Sequence, residues 1–247
     1  MTQSRNYDTL FSGVIGQEYE MLKLICPLMT EMSRLVGDAV CDYSGMQDKL
    51  NVAELGGGTG ITTLALLNAR DNLHITSIDN EPTMQNQAKH NLKAWHDDGR
   101  LTFNGQDALT ALQAMPPTSV DIVASAYTLH NFLDSYRQDV IRECHRVLKP
   151  GGQFINGDRY AFDDVSQHTR LIQEEVAGYF KVLTGINRLD LLEHWIVHLF
   201  SDESENHVMR ESVAIRQLHE VGFSDISVSD RMAVNALVKA VKPIITN

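Results

Sequence analysis

From residue 50 onward the chain alternates between two hydrophobic patterns. Short runs rich in β-branched residues are separated by segments in which apolar residues recur at helical spacing. The predicted strands are Leu50–Leu55, Leu73–Ile78, Leu101–Asn104, Val120–Ala126 and Gln153–Asn156. The predicted helices between them are Ile61–Ala69, Thr83–Trp95, Ala108–Met115 and Tyr136–Leu148. This alternation predicts a doubly wound α/β fold, with helices on both faces of a mostly parallel sheet.

Helical patterns also flank this region. Between Met21 and Val36 the apolar residues lie at helix spacing and form one face, which predicts a helical prefix packed on the sheet. After the fifth strand, Ala161–His207 is long enough for a helical insertion, and insertions at this place hold substrate contacts in such folds. The predicted end of the chain is a helix and an antiparallel edge hairpin, over Glu211–Val221, Asp225–Ser229 and Ala233–Val241.

These patterns predict a single domain over residues 1–247, because no Pro/Gly/Ser-rich linker divides the chain. Its predicted parts are a prefix or lid (1–49), a cofactor-binding core (50–160), a helical substrate lobe (161–207) and a C-terminal helix with the edge hairpin (208–247).

Composition narrows the classes of partner. The formal net charge of −11 disfavours nucleic acid, because binding to phosphates relies on Lys and Arg. The three cysteines, an odd number at unrelated spacings, predict reduced thiols. No stretch of about 18 apolar residues occurs, so we expect a cytoplasmic protein without a membrane partner.

A glycine-rich loop is the strongest local motif. It runs from Glu54 to Gly60 as Glu-Leu-Gly-Gly-Gly-Thr-Gly, after a predicted strand and before a predicted helix. Glycines allow a sharp turn and a close approach of the backbone to a ligand, and the helix N-terminus supplies free N–H donors. The dinucleotide pattern GxGxxG is not met because Ile61 replaces its last glycine.

Two acidic positions follow neighbouring strands. Asp79 ends the second strand, 19 residues after Gly60, where a carboxylate can accept both hydroxyls of a ribose. Gln106 and Asp107 close the third strand near the expected position of an adenine, and Asp107 is also suited to cap the next helix. For Glu54 two roles stay open: contact with the amino end of the ligand, or an inward-facing acid bonded to the loop.

These motifs resemble those of the class I S-adenosylmethionine-dependent methyltransferases. The resemblance also includes Val120–Ser125, which continues into Leu129-His130-Asn131, and Arg142–Gly152. It implies a seven-stranded sheet of order 3-2-1-4-5-7-6 with strand 7 antiparallel, and S-adenosyl-L-methionine as cofactor. The cofactor-binding residues expected on this basis are Glu54, Gly56, Gly58, Gly60, Asp79, Asn80, Met84, Gln106, Asp107, Ala108 and Ser125.

Methyl transfer from a sulfonium needs positioning of the acceptor and, for a protonated acceptor, a base. His130 follows the fourth strand and is the first catalytic candidate, and Tyr160 after the fifth strand is the second; for both, packing is the alternative. The substrate-binding candidates are Tyr7, Phe11, Tyr127, Asn131, Arg159, His194 and His198. His194 and His198 share a helical face, but the HExxH motif is absent, so no metal site is expected.

The sequence therefore favours a methyltransferase that acts on a small-molecule acceptor, and leaves a homodimer open. The alternatives are an enzyme similar to the carboxy-S-adenosylmethionine synthases, an NAD-type oxidoreductase and a cofactor-binding subunit without activity. The first of these alternatives needs basic residues for a carboxylate, for which Arg159, Arg188 and Arg210 are the candidates.

Overall fold

The computed structural model describes residues 26–45 and 47–244. The strands are β1 (Leu50–Leu55), β2 (Leu73–Ile78), β3 (Leu101–Asn104), β4 (Val120–Ala126), β5 (Leu148–Arg159), β6 (Ser224–Met232) and β7 (Asn235–Val241). The helices are α1 (Pro27–Cys41), α2 (Ile61–Ala69), α3 (Pro82–Asn91), α4 (Lys93–Asp97), α5 (Ala108–Ala114), α6 (Asp134–Val147), α7 (Val165–Gly185), α8 (Leu189–Asp202) and α9 (Glu211–Glu220). A short 3₁₀ turn spans Leu129–Asn131.

The sheet order is β3-β2-β1-β4-β5-β7-β6, which confirms the predicted fold. Strands β1 to β5 pair in parallel, whereas β7 is antiparallel to both β5 and β6. β4 is buried along its whole length, as expected for a central strand with helices on both faces. The strand order reverses beside β1 and β4, so a crevice opens at their carboxyl ends.

The structure differs most from the predicted elements at two places, and the bounds of the C-terminal strands and of several helices shift by one to three residues. The predicted helix Thr83–Trp95 is divided into α3 and α4 at Leu92, whose side chain is completely buried in the core. The fifth strand is much longer than Gln153–Asn156, since Leu148 already pairs with Val120 and Arg159 still pairs with β7.

Helix α1 packs against α2 and across strands β4, β5 and β7 of the sheet. Its Met32, Val36 and Val40 are completely buried, and its backbone approaches β5 closely at Gly157. The apolar spacing of the prefix therefore reflects core packing over this part of the chain. Met21 lies outside the described residues, as do Tyr7 and Phe11.

The predicted insertion consists of two long helices, α7 and α8, which pack against each other. They share a small apolar cluster of Tyr179, Leu183, Leu192 and Leu199. The two helices lie beyond the carboxyl end of β5 and cover the crevice.

Candidate functional site

The glycine loop forms a tight turn between β1 and α2. Gly56, Gly58 and Gly60 all have positive φ angles, of 68°, 51° and 98°. A β-carbon at Gly56 would lie 1.9 Å from the Thr128 hydroxyl oxygen, so a side chain cannot be accommodated there. The loop therefore requires glycine both for its conformation and for its contact with the turn after β4.

A cleft of about 790 Å³ lies over this loop and is called the loop cleft here. The predicted cofactor residues that line it are Gly56, Gly58, Asp79, Asn80, Met84, Gln106, Asp107 and Ala108. The Asp79 carboxylate accepts the backbone N–H groups of Gly58 at 2.7 Å and Glu81 at 2.8 Å. It is thereby fixed between the loop and the start of α3, on the wall where a ribose would lie.

Asp107 caps the N-terminus of helix α5, which confirms the capping role among its two predicted roles. Its carboxylate accepts the N–H of Thr110 at 3.0 Å and the hydroxyl of Tyr136 at 2.8 Å. The hydrogen bonds from Thr110, the largest influence, hold the pKa of Asp107 below its usual value. The same Tyr136 oxygen accepts the N–H of Leu109 at 3.0 Å. Tyr136 also lines the loop cleft, and the sequence reading missed it because it lies on α6, far along the chain.

Three of the predicted cofactor residues lie outside the lining of the loop cleft. Gly60 supports the start of α2, and the hydroxyl of the buried Ser125 donates to the carbonyl of Leu55 at 3.2 Å. Glu54 is completely buried below the loop, where one carboxylate oxygen accepts the hydroxyl of Thr63 at 2.7 Å. Within the part of the chain that the structure describes, the other oxygen has no hydrogen-bond partner. Burial raises the pKa of Glu54 to about 7.

A second cavity, of about 360 Å³, lies between the sheet edge and helices α7 and α8; it is called the lobe cavity. Much of its wall is apolar, and its apolar lining includes Leu171, Val182, Trp195, Leu199 and Val234. Five residues line both the lobe cavity and the loop cleft, namely Met29, Tyr127, Asn131, Trp195 and His198. The two spaces therefore adjoin at this shared wall.

His130 is a buried residue of the lobe-cavity wall and is held by a carboxylate. Its Nδ1 lies 2.5 Å from Oδ1 of Asp158. The same Oδ1 accepts the backbone N–H of Arg159, and Oδ2 of Asp158 accepts that of Leu129. Burial alone would raise the pKa of Asp158, but the adjacent His130 and these hydrogen bonds hold it below its usual value. An ionised Asp158 accepts a hydrogen bond from the N–H at Nδ1, so in the neutral imidazole the lone pair is on the other ring nitrogen, Nε2.

On the opposite side of the cavity, α8 contributes His198 and Asp202. The Asp202 Oδ2 atom lies 3.8 Å from Nε2 of His130 and 3.6 Å from Nε2 of His198. Asp202 is 8% exposed, and burial raises its pKa. Sequence reasoning missed Asp202 and Asp158, although the i,i+4 spacing of His198 and Asp202 on one helix was a usable signal.

The remaining substrate candidates are distributed unevenly. Tyr127 and Asn131 lie on the shared wall, while His194 lines the loop cleft rather than the lobe cavity. Arg159 lines the lobe cavity but is already paired with Glu175 at 2.8 Å and with Glu203 at 3.2 Å.

Tyr160 lies in the core rather than in either cavity. It is 2% exposed, and its hydroxyl oxygen accepts the side-chain amide of Asn156 at 2.8 Å. Burial raises its pKa well above the usual value. A phenol without access to a cavity has no contact with a substrate, so its position argues for packing instead of catalysis.

Within residues 26–45 and 47–244, no helix is both long and apolar enough to cross a membrane.

Comparison with known proteins gives matches to methyltransferases and to carboxy-S-adenosyl-L-methionine synthases. A family model described as a methyltransferase domain matches residues 52–152. A demethylmenaquinone methyltransferase of Leptospira interrogans is 35% identical over 126 residues, which are 51% of this chain and 48% of the relative. The chain thus spans about half the length of this relative.

Other similarities are weaker but extend further. A carboxy-S-adenosyl-L-methionine synthase of Campylobacter lari is 22% identical over 192 residues, 76% of this chain and 78% of the relative. The solved structure of an O-methyltransferase family protein from Burkholderia thailandensis has a TM-score of 0.62 at 15% identity, covering 98% of this chain and 61% of that one. Together with the sheet order and the glycine loop, these matches show a methyltransferase domain over residues 52–152 that is similar to the class I S-adenosylmethionine-dependent methyltransferases, and they imply S-adenosylmethionine as cofactor or cosubstrate.

Proposed function

We propose that this protein transfers the methyl group of S-adenosylmethionine to a small molecule bound in the lobe cavity. The observation that carries the proposal is the wall shared by the loop cleft and the lobe cavity, which includes Tyr127, Asn131 and His198. A cofactor bound over the glycine loop would direct its methyl group toward this wall. An acceptor in the lobe cavity would then meet the methyl carbon from the opposite side.

The reaction is an in-line displacement. The acceptor's lone pair forms a bond to the methyl carbon while the carbon–sulfur bond breaks, and the electron pair remains on sulfur in the neutral S-adenosylhomocysteine. Because the leaving group is already activated, the protein contributes mainly orientation and exclusion of water. The apolar part of the lobe-cavity wall, which includes Leu171, Val182 and Leu199, favours both.

An acceptor that arrives protonated must also lose a proton. We propose that Nε2 of His130 accepts this proton. Asp158 fixes the position of the ring through its contact with Nδ1. The arrangement supports the choice of His130 as the first catalytic candidate. Asp158 is then a positioning residue, since it acts through the imidazole.

The size of the lobe cavity and the net charge of the whole chain favour a small acceptor. The lobe cavity of about 360 Å³ is in the range of pockets that enclose small ligands. The net charge of −11 opposes a polyanionic acceptor such as RNA or DNA.

Carboxylation of the cofactor is the alternative suggested by the similarity to carboxy-S-adenosyl-L-methionine synthases. It requires a cation for the added carboxylate, and each of the three candidate arginines is already engaged. Arg159 pairs with Glu175, Arg188 with Asp190, and Arg210 donates to the carbonyl of Phe162. This arrangement favours methyl transfer.

Filling the lobe cavity tests the proposal. Val182 lines the lobe cavity but not the loop cleft, so Val182→Phe should abolish transfer while leaving the affinity for S-adenosylhomocysteine within about twofold. The matched control is Val165→Phe, the same change at a 60%-exposed position on the same helix, which should retain activity. Full activity of Val182→Phe would place the acceptor elsewhere, and calorimetry gives the affinities.

A further inference from the structure

Three side chains that are common metal ligands meet at one point of the lobe cavity. They are His130 from the turn after β4, and His198 and Asp202 from α8. One ligand atom from each lies within 4.8 Å of the other two. His198 and Asp202 are four residues apart, so one helical face directs both toward His130.

The separations between these atoms are suited to a shared cation. At 3.8 and 3.6 Å from the two imidazole nitrogens, Asp202 Oδ2 is too far away for a hydrogen bond to either. Three atoms with separations of 3.8, 3.6 and at most 4.8 Å have a common centre no more than about 2.4 Å from each. Bonds from Zn²⁺ to His nitrogen and carboxylate oxygen are about 2.0–2.2 Å long, so small side-chain movements would complete the contacts.

The surroundings of His130 are those of a histidine that binds metal. Metal-binding histidines almost always donate their second ring N–H to a carboxylate or carbonyl, which fixes the tautomer and the ring orientation. Asp158 occupies this position, 2.5 Å from Nδ1. In the neutral imidazole Nε2 is then the free ligand atom, and it lies 3.8 Å from Oδ2 of Asp202.

Asp202 supplies an independent indication of a ligand. Its side chain is more than nine-tenths buried and lines the lobe cavity, yet no donor within hydrogen-bond distance is found among the described residues. Buried carboxylates are normally satisfied by hydrogen bonds, by a paired cation or by a metal. Among the described residues, Arg159 is a cation close enough to influence Asp202, but it makes its ion pairs with Glu175 and Glu203.

We propose that His130, His198 and Asp202 bind a divalent transition-metal cation, with Zn²⁺ as the cation that suits two imidazoles and one carboxylate. Three protein ligands leave a coordination position open toward the lobe cavity. This open position would hold an oxygen or nitrogen atom of the acceptor beside the methyl donor, a step that rests on the proposed function. The cation would then lower the pKa of the bound acceptor, which would release its proton to water, and Nε2 of His130 would act as a ligand instead of a base.

Metal binding by the purified full-length protein tests the site without any substrate. The chelator-treated protein would be titrated with Zn²⁺ by calorimetry and with Co²⁺ by its visible absorption, and bound metal would be counted by mass spectrometry. We expect one equivalent per chain. Asp202→Asn and His198→Ala should each weaken binding by more than about 100-fold, which exceeds the roughly 10–100-fold effect of losing an outer partner.

The matched control is His194→Ala, which removes an imidazole one turn earlier on the same helix and outside the cluster. This variant should bind metal like the unaltered protein. Equal binding by the unaltered protein and Asp202→Asn, or no binding by either, would overturn the inference. Methyl transfer without bound metal would leave the proposed function intact, whereas metal binding without transfer would contradict the function and not the site.

Discussion

At the scale of single residues, the site depends on carboxylates with different surroundings. Asp79 is held at the edge of the loop cleft by two backbone N–H groups, and Asp158 is buried against an imidazole. Glu54 is buried, and no cation among the described residues pairs with it. The same functional group is therefore suited to bind a ribose, to orient a ring, or to carry a proton near neutral pH.

Replacing Asp79 tests the cofactor assignment. Asp79→Asn retains the shape of the side chain but loses the charge that favours two hydroxyl donors, so binding of S-adenosylhomocysteine should weaken by about 1–3 kcal/mol. Calorimetry measures this change. The control is Asp98→Asn, at an exposed position beyond α4, and equal affinities of the two variants would refute a ribose contact at Asp79.

The raised pKa of Glu54 predicts a pH-dependent stability. The folded protein keeps a proton on Glu54 up to a pKa of about 7, while the unfolded chain releases it near the ordinary glutamate pKa of 4.5. Between these pH values the folded state binds more protons, so the free energy of unfolding should fall as pH rises, by on the order of 3 kcal/mol. Glu54→Gln should remove this contribution.

Urea unfolding of the cofactor-free protein between pH 4.5 and 7.5 measures the effect. Glu205→Gln, a change at an exposed glutamate, serves as the control and should keep the pH dependence of the unaltered protein. A Glu54→Gln variant with the same pH dependence as Glu205→Gln would show that Glu54 is ionised in the folded state.

At the scale of elements, close backbone contacts position the loop cleft. Helix α1 crosses β5 at Gly157, where an added β-carbon would lie 3.0 Å from a Val36 methyl and 3.1 Å from the carbonyl oxygen of Met32. Met29 and Ser33 of the same helix line the loop cleft. A shift of α1 therefore changes the wall of the cleft as well as the core.

A pair of glycine substitutions tests this packing. Gly157→Ala should destabilise the protein by about 1–3 kcal/mol, because α1 must move. Gly178→Ala, in the interior of α7 with no heavy atom within 4 Å of its new β-carbon, should stabilise it by about 1 kcal/mol. Urea unfolding compares the two, and a neutral Gly157→Ala would show that α1 is loosely packed.

The limits of sequence-based prediction are clearest at this scale. Strands β1 to β4 were predicted to the residue, since their apolar runs are bounded by glycine or polar residues. The division of a helix at Leu92 was not, because burial of that side chain depends on the packing of distant elements. Likewise, the motif positions of Asp79 and Asp107 indicated the loop cleft, whereas Asp158 and Asp202 become neighbours of His130 only in the folded chain.

At the scale of the whole molecule, two chemically different spaces adjoin. The loop cleft is formed by the carboxyl ends of the strands, and the lobe cavity by the two helices inserted after β5. The first space contains the motifs shared with methyltransferases, which explains why the family match is confined to residues 52–152. The second carries the residues expected to select the acceptor.

Transfer of a labelled methyl group tests the central claim most directly. The protein would be incubated with S-adenosylmethionine carrying a ¹³C-methyl group and with metabolite extracts, and products would be followed by mass spectrometry, with Val182→Phe as the blocked control. We expect the unaltered protein to form S-adenosylhomocysteine together with a labelled small molecule, and Val182→Phe to form neither. Label only in RNA or protein, a carboxylated cofactor, or cofactor binding without turnover in every extract would contradict it.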